Sequence, residues 1–65
     1  MITDNQRRVL ALTAKPKGIT KGHLHSKDWR VIDRLKVLGL CHVASVDEAG
    51  RRYCITDKGR AYLES

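Results

Sequence analysis

With 65 residues the chain has room for one domain and one small core. A domain of this size buries only roughly 60% of its unfolded surface, which leaves no space for an enclosed substrate cavity beside the core. Thirteen Lys and Arg against seven Asp and Glu give a formal charge of +6, the electrostatic footprint of a polyanion binder.

No apolar run approaches the ~20 residues of a membrane span, and no signal-peptide pattern opens the chain. The expectation is a single cytoplasmic domain over residues 1–65 with no membrane partner. Phe is absent and the aromatics are Trp29, Tyr53 and Tyr62, so the core must come mostly from Leu, Ile and Val. Two cysteines, Cys41 and Cys54, make no disulfide framework and are expected as free thiols in a reducing compartment.

In chain order, Thr3-Asp4-Asn5-Gln6 fits a capping box that opens a first helix, and Asp4 suits the positive end of its dipole. Val9, Leu10 and Leu12 give this helix its apolar side, and it should stop near Thr13 or Ala14. Lys15-Pro16-Lys17-Gly18 reads as a turn, because the residue before proline leaves helical geometry and Gly18 tolerates left-handed angles. Thr20 is then placed to cap a short second helix over Lys21 to His25, of one or two turns, since it contains Gly22 and has only Leu24 as a clear core residue.

A third helix is expected from Lys27 to Leu38, capped by Ser26 and ended by Gly39 in the left-handed position. Steps of ~100° put Val31, Ile32, Leu35 and Leu38 on one side. Arg30, Asp33 and Val37 fall opposite, with Lys27 and Arg34 on one flank and Trp29 and Lys36 on the other. Trp29 is expected to be partly buried over the second helix, because a domain without Phe will use its one Trp in the core.

Leu40 to Val46 and Arg51 to Thr56 then read as two strands, with Asp47-Glu48-Ala49-Gly50 as the hairpin loop. Thr56 can cap a final helix from Asp57 through Leu63. Pairing about a Glu48-Ala49 loop places Cys41 and Cys54 diagonally on one face of the sheet. His23, His25, Cys41, His42 and Cys54 invite a zinc reading, but no Cys-x-x-Cys or His-x-x-x-His pair fixes two ligands on one turn. No metal and no cofactor is therefore expected. Phosphate-loop and nucleophile-elbow motifs are absent and Asp28 and Asp33 share no helix face, so the chain is not expected to be an enzyme.

The run Leu35-x-x-Leu38-Gly39-Leu40, a hairpin with basic residues near its tip, and Ile55-Thr56-Asp57-Lys58-Gly59-Arg60-Ala61-Tyr62-Leu63 resembles the second half of winged-helix DNA-binding domains. It is most similar to MarR- and PadR-type transcriptional regulators and to small phage regulators. The resemblance covers roughly Ser26 to Leu63. It implies an α+β winged helix-turn-helix: three helices, a two-stranded β-hairpin wing and a short C-terminal helix.

It further implies a DNA-binding regulator of bacterial or phage type, with the 26–38 helix in the major groove of double-stranded DNA and the 47–52 wing on the backbone or minor groove. Lys27 and Arg30 are the candidates for base or phosphate contact, Arg34 for the backbone, and Arg51 and Arg52 for the wing. Thr20 and Lys21 would meet a phosphate at the start of the second helix.

The second helix is shorter and more glycine-bearing than the family pattern, and the long C-terminal dimerisation helix of the family's full-length regulators is not expected here. A homodimer or a larger protein partner would then need another surface, and no small-molecule effector is expected. The alternative is a winged-helix module that binds protein or RNA without DNA specificity, since fold alone does not settle function.

Overall fold

Thr3 opens the first helix, α1 (Asp4–Thr13), in the reciprocal way the sequence implies. Its Oγ1 accepts the Gln6 N–H at 3.1 Å, and Gln6 Oε1 accepts the Thr3 N–H at 2.9 Å. The inward face carries Val9, Leu10 and Thr13, all 0% exposed. Thr13 is tolerated there because its hydroxyl donates to the Leu10 carbonyl at 2.6 Å, leaving no bare polar atom in the core. The computed structural model describes residues 2–48 and 50–64.

After the proline turn the chain departs from its sequence reading. Ile19–Thr20 forms a short strand, β1, that pairs antiparallel with the later strand β3 (Gly50–Ile55) through Ile19↔Tyr53 and Thr20↔Arg52. Gly18 makes this approach possible. Its φ is +65°, and a Cβ there would overlap the Tyr53 carbonyl and lie 2.6 Å from Cys54 Sγ. The short second helix is reduced to a single 3-10 turn, Lys21–His23, because Leu24 and His25, expected as its last residues, return to extended geometry.

Ser26, expected as a helix cap, lies inside a second 3-10 turn, Ser26–Asp28, and α2 spans Trp29–Val37. The displacement of the start follows from Asp28. Its side chain turns inward to α1, where it accepts from Arg8 NH2 at 2.9 Å and from Asn5 Nδ2 at 3.4 Å. The helix ends as expected, at Gly39 (φ +79°). The Gly39 N–H donates to the Lys36 carbonyl at 3.0 Å, and the Leu40 N–H to the Leu35 carbonyl at 2.9 Å. That pair of bonds is the Schellman arrangement.

The Arg8–Asp28 pair makes stability depend on acidity. The hydrogen bond from Arg8 holds the Asp28 carboxyl below its ordinary value of 3.8, against the desolvation that would raise it. A depressed carboxylate contributes its stability above the unfolded value and loses it as pH falls through the folded one. Urea midpoints should therefore fall below about pH 4 more steeply in the parent protein than in Asp28→Asn, which has no such carboxylate to protonate. Parallel curves would exclude the pair as a source of acid sensitivity.

Strand β2 (Cys41–Asp47) joins β3 as a hairpin whose last described pair is Asp47 with Gly50. Ala49 lies outside the described residues. The sheet is thus three-stranded, in the order β1-β3-β2, where the sequence indicated a two-stranded wing. Ala44 has no cross-strand partner, and this bulge shifts the register by one residue between Val43 and Ser45. A one-residue shift reverses faces. Cys41 consequently pairs with Ile55, and Cys54 with His42, so the two thiols stand on opposite faces rather than sharing one.

Cys41 is 2% exposed, and burial pushes its thiol up to about 11. One equivalent of thiol, from half-buried Cys54, should react rapidly with an aromatic disulfide reagent at pH 8, and Cys41 only on unfolding. Two fast equivalents in the folded protein would contradict this placement.

Thr56 ties the end of the hairpin to α2 and opens α3 (Asp57–Glu64). Its hydroxyl donates to the Gly39 carbonyl at 2.7 Å and accepts the Gly59 N–H at 3.1 Å, and its N–H donates to the Leu40 carbonyl at 3.0 Å. Three helices and one antiparallel sheet then close over a single cluster of Val9, Leu10, Ile19, Ile32, Leu35, Leu40, Cys41, Tyr53 and Ile55. Tyr53, 1% exposed, is the largest side chain in it.

Candidate nucleic-acid interface

The α2 stripe is built as its periodicity requires. Ile32 and Leu35 are buried, Val31 and Leu38 half-buried, and Arg30, Asp33, Arg34 and Val37 at i, i+3, i+4 and i+7 face outward. Val37 is 76% exposed, too much for a core position.

What distinguishes the cations is whether the fold already occupies them. Arg7 donates to the Tyr62 carbonyl and Lys58 to the Leu38 carbonyl. Arg8 is held by Asn5 and Asp28. Lys21 donates to Asp33 at 3.1 Å. Arg52 donates to Asp47 at 2.8 Å and to the Lys17 carbonyl at 3.3 Å, bracing the hairpin against the proline turn. Lys15, Lys17, Lys27, Arg30, Arg34, Lys36, Arg51 and Arg60 are exposed, and their side chains make no hydrogen bond or ion pair among the described residues.

The residues named from sequence do not converge on one point. Lys21 and Arg51 line a single cleft with Gly50 and Tyr53. Lys27 borders another, with Asn5, Arg8, His25 and Asp28. Arg34 turns toward the groove between α1 and α3, beside Ile2, Gln6, Leu38, Leu40, Lys58 and Tyr62. Arg30 stands outward on α2, at none of these three clefts.

Thr20 requires correction as a phosphate contact. It is 2% exposed, its N–H donates to His23 Nδ1 at 3.2 Å, and its hydroxyl lies 3.3 Å from the same nitrogen. Neither group is available to a ligand, because the pairing of β1 with β3 draws this residue into the fold.

Trp29 also differs from its sequence reading. It does cover the turn before it, since its Nε1 donates to the Lys21 carbonyl at 2.9 Å. Yet the ring is 42% exposed, with the Lys21 ammonium 5.9 Å from its centroid. The collapse of the second helix to one turn explains this, because so short an element cannot cover an indole. The buried cluster contains Tyr53 and aliphatic side chains and not Trp29.

No family model, curated protein or solved structure matches this chain. Among the described residues, no group of three or more His, Cys, Asp and Glu side chains is placed to hold a metal ion, and no helix is long and apolar enough to cross a membrane.

Proposed function

We propose that this chain is a small winged helix-turn-helix domain that binds duplex DNA, acting as a transcriptional regulator of bacterial or phage type. In this reading α2 enters the major groove and the wing over 47–52 follows the backbone. The order helix, turn, helix, hairpin, helix supports it, with the Lys21–His23 turn as the reduced first element of the helix-turn-helix.

The observation that carries the reading is that, of eight exposed cations whose side chains are unengaged among the described residues, Lys27, Arg30, Arg34 and Arg51 lie on α2, the turn that leads into it, and the hairpin. An ion pair within the protein must be broken before a cation can meet a phosphate, whereas an unpaired one only exchanges its counterions. Lys27, in the turn that leads into α2, and Arg30, in its first turn, lie at the end of the helix by which recognition helices reach base edges, and Arg has the fork that reads guanine. Arg52, held by Asp47 and Lys17, positions the wing.

The test is duplex binding as a function of salt. Phosphate contact by Arg34 and Arg51 alone predicts a slope of at least about −1.8 in log affinity against log salt, or roughly a tenfold loss between 50 and 200 mM. A purified protein that binds no duplex at low salt would overturn the reading.

A further inference from the structure

Trp29 is the only tryptophan in the chain and the one large aromatic left open to solvent, at 42%. Its orientation is nevertheless fixed at two points, by the Nε1 bond to the Lys21 carbonyl and by the Lys21 ammonium 5.9 Å from the ring. A rigid, half-open indole is an anchor of the kind that binding surfaces use, offering large area at little cost in side-chain entropy. Beside it, Lys21, Gly50, Arg51 and Tyr53 enclose a cleft of about 270 Å³ between the Lys21–His23 turn and the hairpin.

Tyr53 is buried and forms the floor. The wall at Gly50 is open, since a Cβ there would meet nothing within 4 Å. Two cations from different elements thus share a cleft, and one of them, Lys21, also lies over the Trp29 ring. At below the ~300 Å³ of ordinary small-molecule pockets, it suits a small anionic group better than a free-standing ligand. Asp33 takes one N–H of Lys21 and offsets part of its charge, which leaves Arg51, without a partner among the described residues, as the stronger anion contact.

The geometry points to this cleft as a seat for one sugar–phosphate unit of the DNA strand, with the phosphate between Arg51 and Lys21 and the deoxyribose against Trp29. The inference rests on the DNA-binding reading and adds a residue to it, since Trp29 is no cation and Lys21 is already paired. Sugar–phosphate contact carries no base information, so this seat contributes to register and affinity on every sequence alike.

Trp29 emission and the anisotropy of an end-labelled 16-base-pair duplex, read in the same titration, test both levels separately. Saturation should quench or shift the Trp29 emission. Trp29→Ala should weaken binding roughly three- to tenfold on selected and random duplexes equally. Lys21→Gln with Arg51→Gln should reduce the salt slope by about 2. Circular dichroism checks that Trp29→Ala folds, and Arg51→Gln alone, on the hairpin and without partners to lose among the described residues, gives the slope test if it does not.

Saturable anisotropy with unchanged Trp29 emission and an unchanged slope in the Arg51 variants would overturn the seat while sparing the DNA-binding reading. No anisotropy change with any duplex at 20 mM salt, a condition chosen so that the Debye length exceeds ~20 Å, would remove both.

Discussion

Gly59→Ala is expected to destabilise the protein by about 2–3 kcal/mol, although alanine is the better helix former. Gly59 lies in the first turns of α3, where the exchange would by propensity alone stabilise by up to ~1 kcal/mol. The packing opposes it. A Cβ at this position would overlap the Leu40 carbonyl oxygen and come within 2.7 Å of Ile55 Cγ1. The carbonyl cannot retreat freely, because it accepts the Thr56 N–H at 3.0 Å, the bond that fixes the end of the hairpin to the start of α3.

Overpacking of this kind costs about 1–3 kcal/mol when side chains can adjust, and backbone is the less yielding neighbour. A 65-residue domain has a total stability of only about 3–10 kcal/mol at ordinary values per residue. The variant should thus lose much of its urea midpoint. Gly22→Ala is the control: its Cβ would meet only Thr20 Oγ1 at 3.5 Å, an ordinary contact, and should shift stability by less than ~0.5 kcal/mol. A Gly59→Ala protein as stable as the parent would mean that α3 does not sit this close to Leu40.

The second large effect falls on binding. Arg30→Ala should cost about 1–3 kcal/mol on a preferred duplex and relax preference at one base position, as loss of a bidentate base contact does. Arg30 has no partner among the described residues, so its removal should leave the thermal midpoint within a degree or two, consistent with a surface substitution.

Arg52→Ala should behave in the opposite way. It removes the ties to Asp47 and to the Lys17 carbonyl, so it should lower the midpoint and weaken all sequences alike through a displaced wing. Anisotropy on selected and scrambled duplexes, beside melting curves, separates the two. Equal losses on both duplexes for Arg30→Ala would make it a phosphate contact and not a base reader.

The contrast between these arginines shows where sequence reasoning stops. As letters, Arg51 and Arg52 are two basic residues at a hairpin tip. The Asp47–Arg52 pair is close along the chain, but the Lys17 carbonyl that completes the site arrives from 35 residues away. Likewise Asp28 reads as a surface residue of an amphipathic helix until Arg8 and Asn5, 20 and 23 positions distant, are brought against it.

The sequence by itself determined what rests on neighbours three or four residues apart. The Thr3–Gln6 box, the Ile32–Leu35 stripe, the left-handed stop at Gly39, the Asp47–Gly50 hairpin pair and the Thr56 cap are all satisfied locally. Each involves so short a loop that little chain entropy opposes it. Only the tertiary structure decided the rest: the pairing of Ile19–Thr20 with β3, the bulge at Ala44 that separates Cys41 from Cys54, the inward Asp28 and the half-open Trp29. Those features depend on which distant segment fills an edge, a face or a hydrogen-bonding site, and no local pattern of residue types encodes that choice.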